Sequence, residues 1–264
     1  MENITAENLR KLIKQGLFGE RALGLSGKLL SKVPEAVCEL TELEELNLSD
    51  NYLKELPASI NKLRNLRWLI LDRNQLRELP HSICQLSNLS WLSVGYNELS
   101  VLPSNIKNLK NLRKLYLSNN QLTTLPDGIG DLKELRWLYV NNNKLTVLTS
   151  QIKHLKNLQG LYLINNQLTS LPDGICELKK LKWLRGAGNP LTLEDMRKVV
   201  KLQNKMKIYL KDVKGKDMKC SLFLFMLFML CIVNEITNVL LYDHLGLDFT
   251  SDRVLVGVVR ALMT

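Results

Sequence analysis

Reactive side chains are scarce in this chain. Its 264 residues include three histidines and five cysteines, and neither type falls in a spacing that builds a site. Five cysteines cannot all pair, and no C-x-x-C occurs, so neither a zinc nor a dithiol redox motif is encoded. His81, His154 and His244 lie far apart, with no H-E-x-x-H and no P-loop anywhere. The run GAGNPL, residues 186–191, has two glycines at the right spacing for a dinucleotide loop. It lacks the third glycine and the strand–helix context. The expectation is a chain with no enzymatic activity, no cofactor and no metal.

The first residues, MENITAENLRKLIKQG, lack the apolar core of a secretory signal. Cytoplasmic or nuclear location is the expectation, and the sequons at Asn3, Asn47 and Asn88 then carry no weight. The same stretch reads as a short polar helix, capped by Thr5 and stopped at Gly16. Apolar content of 45% and charged content of 23% are ordinary for a folded chain. The formal net charge of +10 permits attraction to acidic proteins, anionic lipid or nucleic acid without choosing among them.

What the chain does have is a period of 23 residues. From Leu43 it repeats L-x-x-L-x-L-x-x-N-x-L-x-x-L-P-x-x-I-x-x-L-x-x. Copies begin at Leu43, Leu66, Leu89, Leu112, Leu135 and Leu158, and a seventh at Leu181 decays after Leu191. A degenerate copy precedes them from about Glu20. Asparagine recurs at Asn51, Asn74, Asn97, Asn120, Asn143, Asn166 and Asn189. Proline recurs at Pro57, Pro80, Pro103, Pro126 and Pro172, with Thr149 in the gap.

This pattern resembles the leucine-rich repeat family over roughly residues 20–191. The long repeat with LP and Ile in its second half resembles the intracellular Ras-suppressor and Ras-scaffold class. The resemblance implies an α/β fold, a curved horseshoe solenoid with a parallel β-sheet on its concave face and short helical turns outside. It also suggests small-GTPase signalling as the setting.

The physics of the repeat agrees. About seven apolar positions per repeat contribute roughly 1.5–3 kcal/mol each if buried. Ordering the backbone costs about 1–2 kcal/mol for every residue. One repeat cannot stand alone, so neighbours must share a core. The recurring Asn is expected to donate and accept toward the adjacent coil, as a scaffold residue and not a site. Cys38, Cys84 and Cys176 share one repeat position. Coils stacked at about 4.8 Å put Cys38 and Cys84 roughly 10 Å apart, too far for a disulfide, so free thiols are expected.

The ends of such a stack need covers. The expected organisation is an N-terminal cap helix over residues 1–19, repeats over 20–191, a basic C-terminal cap helix over 192–219 and a hydrophobic tail over 220–264. Thr192 would start the second cap, with Asp195 in its first turn. Met196, Val199, Val200, Leu202, Met206 and Tyr209 would form its apolar side.

Strand alternation turns two columns of side chains away from the core. The first reads Ala22, Glu45, Trp68, Trp91, Lys114, Trp137, Gly160, Trp183 and holds every tryptophan in the chain. The second reads Gly24, Asn47, Ile70, Ser93, Tyr116, Tyr139, Tyr162, Arg185. Tyr96 lies just beyond, with Arg73, Asp72, Asp50 and Glu98 on the same surface or its rim. Trp, Tyr and Arg concentrate binding energy at interfaces, so these columns are read as a protein-binding face. Its anchors are Trp68, Trp91, Trp137 and Trp183 with Tyr96, Tyr116, Tyr139 and Tyr162; Arg73, Lys114 and Arg185 orient the partner. Column aromatics that merely stack on one another are the structural alternative. Mixed charge along the face argues against a nucleic-acid track, although aromatics with cations can hold single strands.

The run CSLFLFMLFMLCIV, residues 220–233, does not belong to the repeat. It follows residues 191–219, which carry nine Lys/Arg against four Asp/Glu. A membrane span needs about 20 apolar residues, and extending this run to Leu241 takes in Asn234, Glu235, Thr237 and Asn238. Three readings stay open: a membrane tether with the repeats in the cytoplasm, a helix packed on the C-terminal cap, and a variant tail. A membrane-tethered adaptor is therefore the alternative to a scaffold acting through its concave face. Partner identity and oligomeric state are not encoded legibly.

Overall fold

A computed structural model describes residues 5–16, 19–192 and 194–195. Within it, nine strands form one sheet in chain order. They are β1 (Lys14–Gln15), β2 (Arg21–Gly24), β3 (Glu45–Asn47), β4 (Trp68–Ile70), β5 (Trp91–Ser93), β6 (Lys114–Tyr116), β7 (Trp137–Tyr139), β8 (Gly160–Tyr162) and β9 (Trp183–Arg185). From β2 to β9 every pairing is parallel and in the register of the 23-residue period, so that Trp68 faces Trp91 and Tyr116 faces Tyr139. The far side of each later coil is a five-residue 3₁₀ turn, such as Ser104–Asn108. This is the leucine-rich-repeat solenoid, with its sheet on the concave face.

The leucines, Val94, Val140 and the recurring isoleucines of this stack are buried as one continuous core. Asn74 shows how the turns survive there. Its Nδ2 donates to Leu48 O and Leu71 O at 3.0 Å each, and its Oδ1 accepts from Leu53 N at 3.0 Å. Asn97, Asn120, Asn143, Asn166 and Asn189 repeat the arrangement. Buried peptide groups left unpaired cost about 1–3 kcal/mol each, which is why the amide recurs. Pro57, Pro80, Pro103, Pro126 and Pro172 each precede a 3₁₀ turn, with φ near the value their ring imposes. Thr149 fills the gap by the same geometry, φ −56°, and its Oγ1 accepts from Gln151 N. Cys38 and Cys84 are buried and Cys176 is exposed; all three are free thiols.

The N-terminal segment departs from the expected cap helix. The helix α1 (Ala6–Arg10) is capped by Thr5, whose side chain accepts from Asn8 N, but it ends at Lys11. Lys14 and Gln15 then pair antiparallel with Ala22 and Arg21, and Gly16 N donates to Glu20 O at 2.8 Å. Gly16 therefore closes a tight reversal and is not a helix stop. The antiparallel strand covers the free edge of β2 that a helix alone would leave unpaired. A second helix, α2 (Glu35–Cys38), takes the place of the 3₁₀ turn in the first coil.

At the other end, Thr192 Oγ1 accepts from Asp195 N at 3.1 Å, and Asp195 Oδ1 accepts from Leu171 N at 3.1 Å. The remainder of the expected 192–219 cap and the whole 220–264 tail lie outside the described residues. Among the described residues no helix is long and apolar enough to cross a membrane.

A further periodic feature shapes the concave rim. The position after each strand's exit turns left-handed: Asp50 φ 53°, Arg73 φ 56°, Tyr96 φ 52°, Asn119 φ 59°, Asn142 φ 52°, Asn165 φ 53° and Gly188 φ 70°. Asn and Gly tolerate this region far better than larger residues.

Candidate protein-binding face

The four indoles share one wall. Trp68, Trp91, Trp137 and Trp183 are each half-buried, while the leucine beside each points into the core and is buried. Strand register sets Trp68 beside Trp91, Trp91 beside Lys114, and Lys114 beside Trp137. Lys114 Nζ sits 4.8 Å from the centroid of the Trp91 ring, a cation–π contact worth about 0.5–1 kcal/mol where water reaches it.

The C-terminal half of the wall is a packed aromatic cluster. Trp137 stacks on Trp183 at 5.0 Å, on Tyr139 at 6.3 Å and on Tyr162 at 6.5 Å. Tyr139 stacks on Tyr162 at 4.4 Å, and Tyr116 tilts against Tyr139 at 5.5 Å. Gly160 makes this possible. A Cβ there would lie 2.5 Å from Trp137 Cε3 and 2.9 Å from Tyr162 Cε2. The missing side chain opens a slot through which the indoles of two non-adjacent coils meet. Arg185 continues the Tyr162 column, and Lys182 Nζ lies 5.8 Å from the Trp183 ring.

Tyr116 corrects the sequence reading. It is only 8% exposed, not displayed on the surface. The cause lies one coil back at Gly95, where a Cβ would come within 2.4 Å of Tyr116 Cε1. The ring drops into the space that glycine leaves, so Tyr116 lies in the floor of the wall.

The same glycine positions a buried carboxylate. Asp72 Oδ1 accepts from Gly95 N at 2.6 Å and from Ser93 Oγ at 2.8 Å. Burial outweighs these bonds and pushes the Asp72 carboxyl up to about 6. Glu45 is also raised, by burial first and by the Glu20 carboxylate second. On the rim, Arg73 lies 5.3 Å from the Tyr96 ring centroid and 4.0 Å from Asp50, while Glu98 is 3.2 Å from Arg77.

An asparagine ladder follows the tyrosine column. Asn142 Nδ2 donates to Asn119 Oδ1 at 2.9 Å, and Asn165 Nδ2 to Asn142 Oδ1 at 2.8 Å. Sequence reasoning passed over this ladder, Lys182, and the roles of Gly95 and Gly160. Gly160 stands as a gap in the tryptophan column, whereas Gly95 shares its repeat position with the small and polar residues Ser49, Asp72, Ser118 and Asn141. His81 and His154 lie in 3₁₀ turns away from the wall, where His81 Nδ1 bonds Asn105 Oδ1 at 3.0 Å. Among the described residues no group of three His, Cys, Asp or Glu could hold a metal ion. What the wall offers is area, aromatic edges and a few orienting charges, which is the chemistry of recognition.

Comparison with known families matches a leucine-rich repeat region over residues 60–139 and leucine-rich repeats over 21–76 and 157–178. Among solved structures the chain is similar to a leucine-rich-repeat protein of Leptospira interrogans, at 33% identity and TM-score 0.63, over 71% of this chain and 52% of that one. It is similar to a TDR receptor at 32% identity and TM-score 0.56, over 61% of this chain and 29% of that one. It is also similar to the ectodomain of the membrane receptor kinase GASSHO1/SCHENGEN3 of Arabidopsis thaliana, in complex with Casparian strip integrity factor 2. Identity there is 26% and TM-score 0.52, over 68% of this chain and 26% of the other. The chain thus spans about half the length of the first of these and under a third of the other two. No curated protein matches it.

Proposed function

This chain carries a leucine-rich-repeat solenoid, and from that premise we propose that it is a non-catalytic scaffold that holds a protein partner on its concave aromatic wall. The observation that carries this is the single exposed row of half-buried indoles, Trp68, Trp91, Trp137 and Trp183. Contiguous aromatic surface of that kind is seldom left unused by a monomer. The receptor-kinase ectodomain described above is itself in complex with another factor, which supports the same reading of this solenoid. Tyr139, Tyr162 and Tyr96 widen the anchor row, and Arg73, Lys114 and Arg185 orient the partner.

The experiment follows from the packing. Trp137 and Trp183 support one another, so their loss mixes folding with binding. Trp91, whose ring meets Lys114, is the cleaner probe. Trp91→Ala should abolish partner retention in affinity purification while the thermal midpoint stays nearly unchanged. Retained partners with a large fall in the midpoint would show that the row is packing alone.

The finer setting is read from the repeat type. Its resemblance to the intracellular Ras-suppressor class supports a cytoplasmic role in small-GTPase signalling, tested by co-purification of a GTPase with the chain. A second reading rests on the apolar run 220–233, as a membrane tether with the repeats facing the cytoplasm. Carbonate-resistant membrane association that vanishes on truncation after Lys219 would support it, and full solubility of the intact chain would end it.

A further inference from the structure

The segments that lead into the strands form one flank of the solenoid. Their backbones are bonded coil to coil: Arg136 N donates to Arg113 O, Gln159 N to Arg136 O, and Lys182 N to Gln159 O, each at 2.8 Å. Residues sharing that position therefore stand in a row. Along it the charge is sharply uneven. Between turn and strand, segments 109–113, 132–136, 155–159 and 178–182 together hold eight Lys/Arg against one acidic residue. The equivalent segment of the first coil, 40–44, holds two glutamates and no cation, that of the second, 63–67, two arginines, and that of the third, 86–90, no charge.

Four of the eight are engaged: Lys180 Nζ donates to Asn157 Oδ1 at 2.7 Å and Lys182 Nζ lies 5.8 Å from the Trp183 ring. Lys133 lies 3.8 Å from Asp131, and Lys156 lies 3.1 Å from Glu177. Lys110, Arg113, Arg136 and Lys179 are exposed and form no ion pair among the described residues. We propose that this basic flank, from residue 109 to 182, docks an acidic polypeptide segment of the partner whose apolar part lies on the aromatic wall. The proposal rests on the concave-face reading above and adds a polarity to it. The partner's acidic stretch runs along the C-terminal coils, away from Glu42 and Glu44, which lie 3.0 Å from Arg10 and 3.5 Å from Arg67.

The choice of a polypeptide follows from the neighbouring rings. Nucleobases bind to open ring faces, but Trp137, Tyr139, Tyr162 and Trp183 are stacked on one another and spend those faces internally. A membrane surface would want apolar side chains protruding between the cations. The exposed large hydrophobics among the described residues are Leu12, Leu29, Tyr52, Val101 and Val147, none of them on this flank. Charge complementarity with carboxylates, which also steers association, fits what remains.

The test uses the full chain and a labelled poly(Glu-Tyr) peptide. Oligo(dT) and phosphatidylserine vesicles serve as the competing ligand classes. Binding of the peptide should weaken as salt rises. Reversal of three flank cations (Arg113→Glu, Arg136→Glu and Lys179→Glu) should weaken it by about tenfold or more. The same charge change at exposed positions on segments that leave the strands (Lys32→Glu, Lys54→Glu and Lys144→Glu) should change it less than about twofold if position matters. If the reversed flank fails to fold, the Gln versions at the same positions give the same comparison. Equal loss from both triples would reduce the effect to net charge and overturn the proposal. So would oligo(dT) or vesicles binding more tightly than the peptide, or no peptide binding. A flank triple without effect, beside a Trp91→Ala variant that loses its partners, would sink this inference and leave the concave-face reading standing.

Discussion

Trp137 and Trp183 stack with ring centroids 5.0 Å apart although a whole coil separates their strands. Coils two steps apart lie roughly 10 Å from one another at the strand spacing, so both indoles lean across the intervening residue. That residue is Gly160.

Gly160→Ala puts a carbon 2.5 Å from the Trp137 ring and forces the pair open. The expected cost is about 1–3 kcal/mol, the usual penalty for overpacking. Chemical denaturation measures it, and near-ultraviolet circular dichroism should show the coupled indole signal fall. An unchanged spectrum would mean that the rings do not meet.

Asp72 gives the chain a pH dependence. Its carboxyl is raised from 3.8 to about 6 by burial, so between those values the folded state holds the proton that the unfolded state has released. Stability should therefore fall as pH rises from about 4 to about 6 and level off above. The full difference is at most about 3 kcal/mol, less for a side chain with some access to water. Asp72→Asn keeps the acceptor for Gly95 N, as Asn141 accepts from Ile164 N at the same repeat position. It should raise the thermal midpoint at pH 7 and flatten this part of the profile.

The two asparagine ladders should behave differently. Asn120→Ala leaves buried Leu99 N without its acceptor and takes one donor each from Val94 O and Leu117 O, which keep Asn97 and Asn143, and should cost about 2–3 kcal/mol. Asn142→Ala removes bonds to side chains nearer the surface and should cost about 1 kcal/mol. Urea titrations of the two variants compare them directly.

The thiols report the register. Cys176 is exposed and should react with a maleimide in the native protein. Cys84, whose thiol burial pushes up to about 12, should label only on unfolding, as should buried Cys38. Peptide mapping by mass spectrometry distinguishes the three sites.

Much of this molecule could be read from its period. A Leu, Asn or Pro that recurs every 23 residues meets its equivalent in the next coil, so one argument about Asn74 serves six positions. The columns of the concave wall followed for the same reason. What the period hides is interaction between unlike residues of neighbouring coils. Tyr116 alternates as an outward residue, and only the hole left by Gly95 draws it in. Lys14 and Gln15 carry no apolar alternation to mark a strand, since their pairing uses backbone alone. The stacking around Trp137 depends on which way each ring leans, and spacing along a strand does not state it.

The left-handed column after the strands separates comfort from purpose. Asn119, Asn142 and Asn165 suit that backbone and bond one another along it; Arg73 and Tyr96 suit it poorly and instead face each other at the rim. A chain shaped for durability alone would carry asparagine in those two coils as well. Their bulk strains the backbone where asparagine would relax it, so the cost of the left-handed turn falls on these two coils and not on those of the aromatic stack.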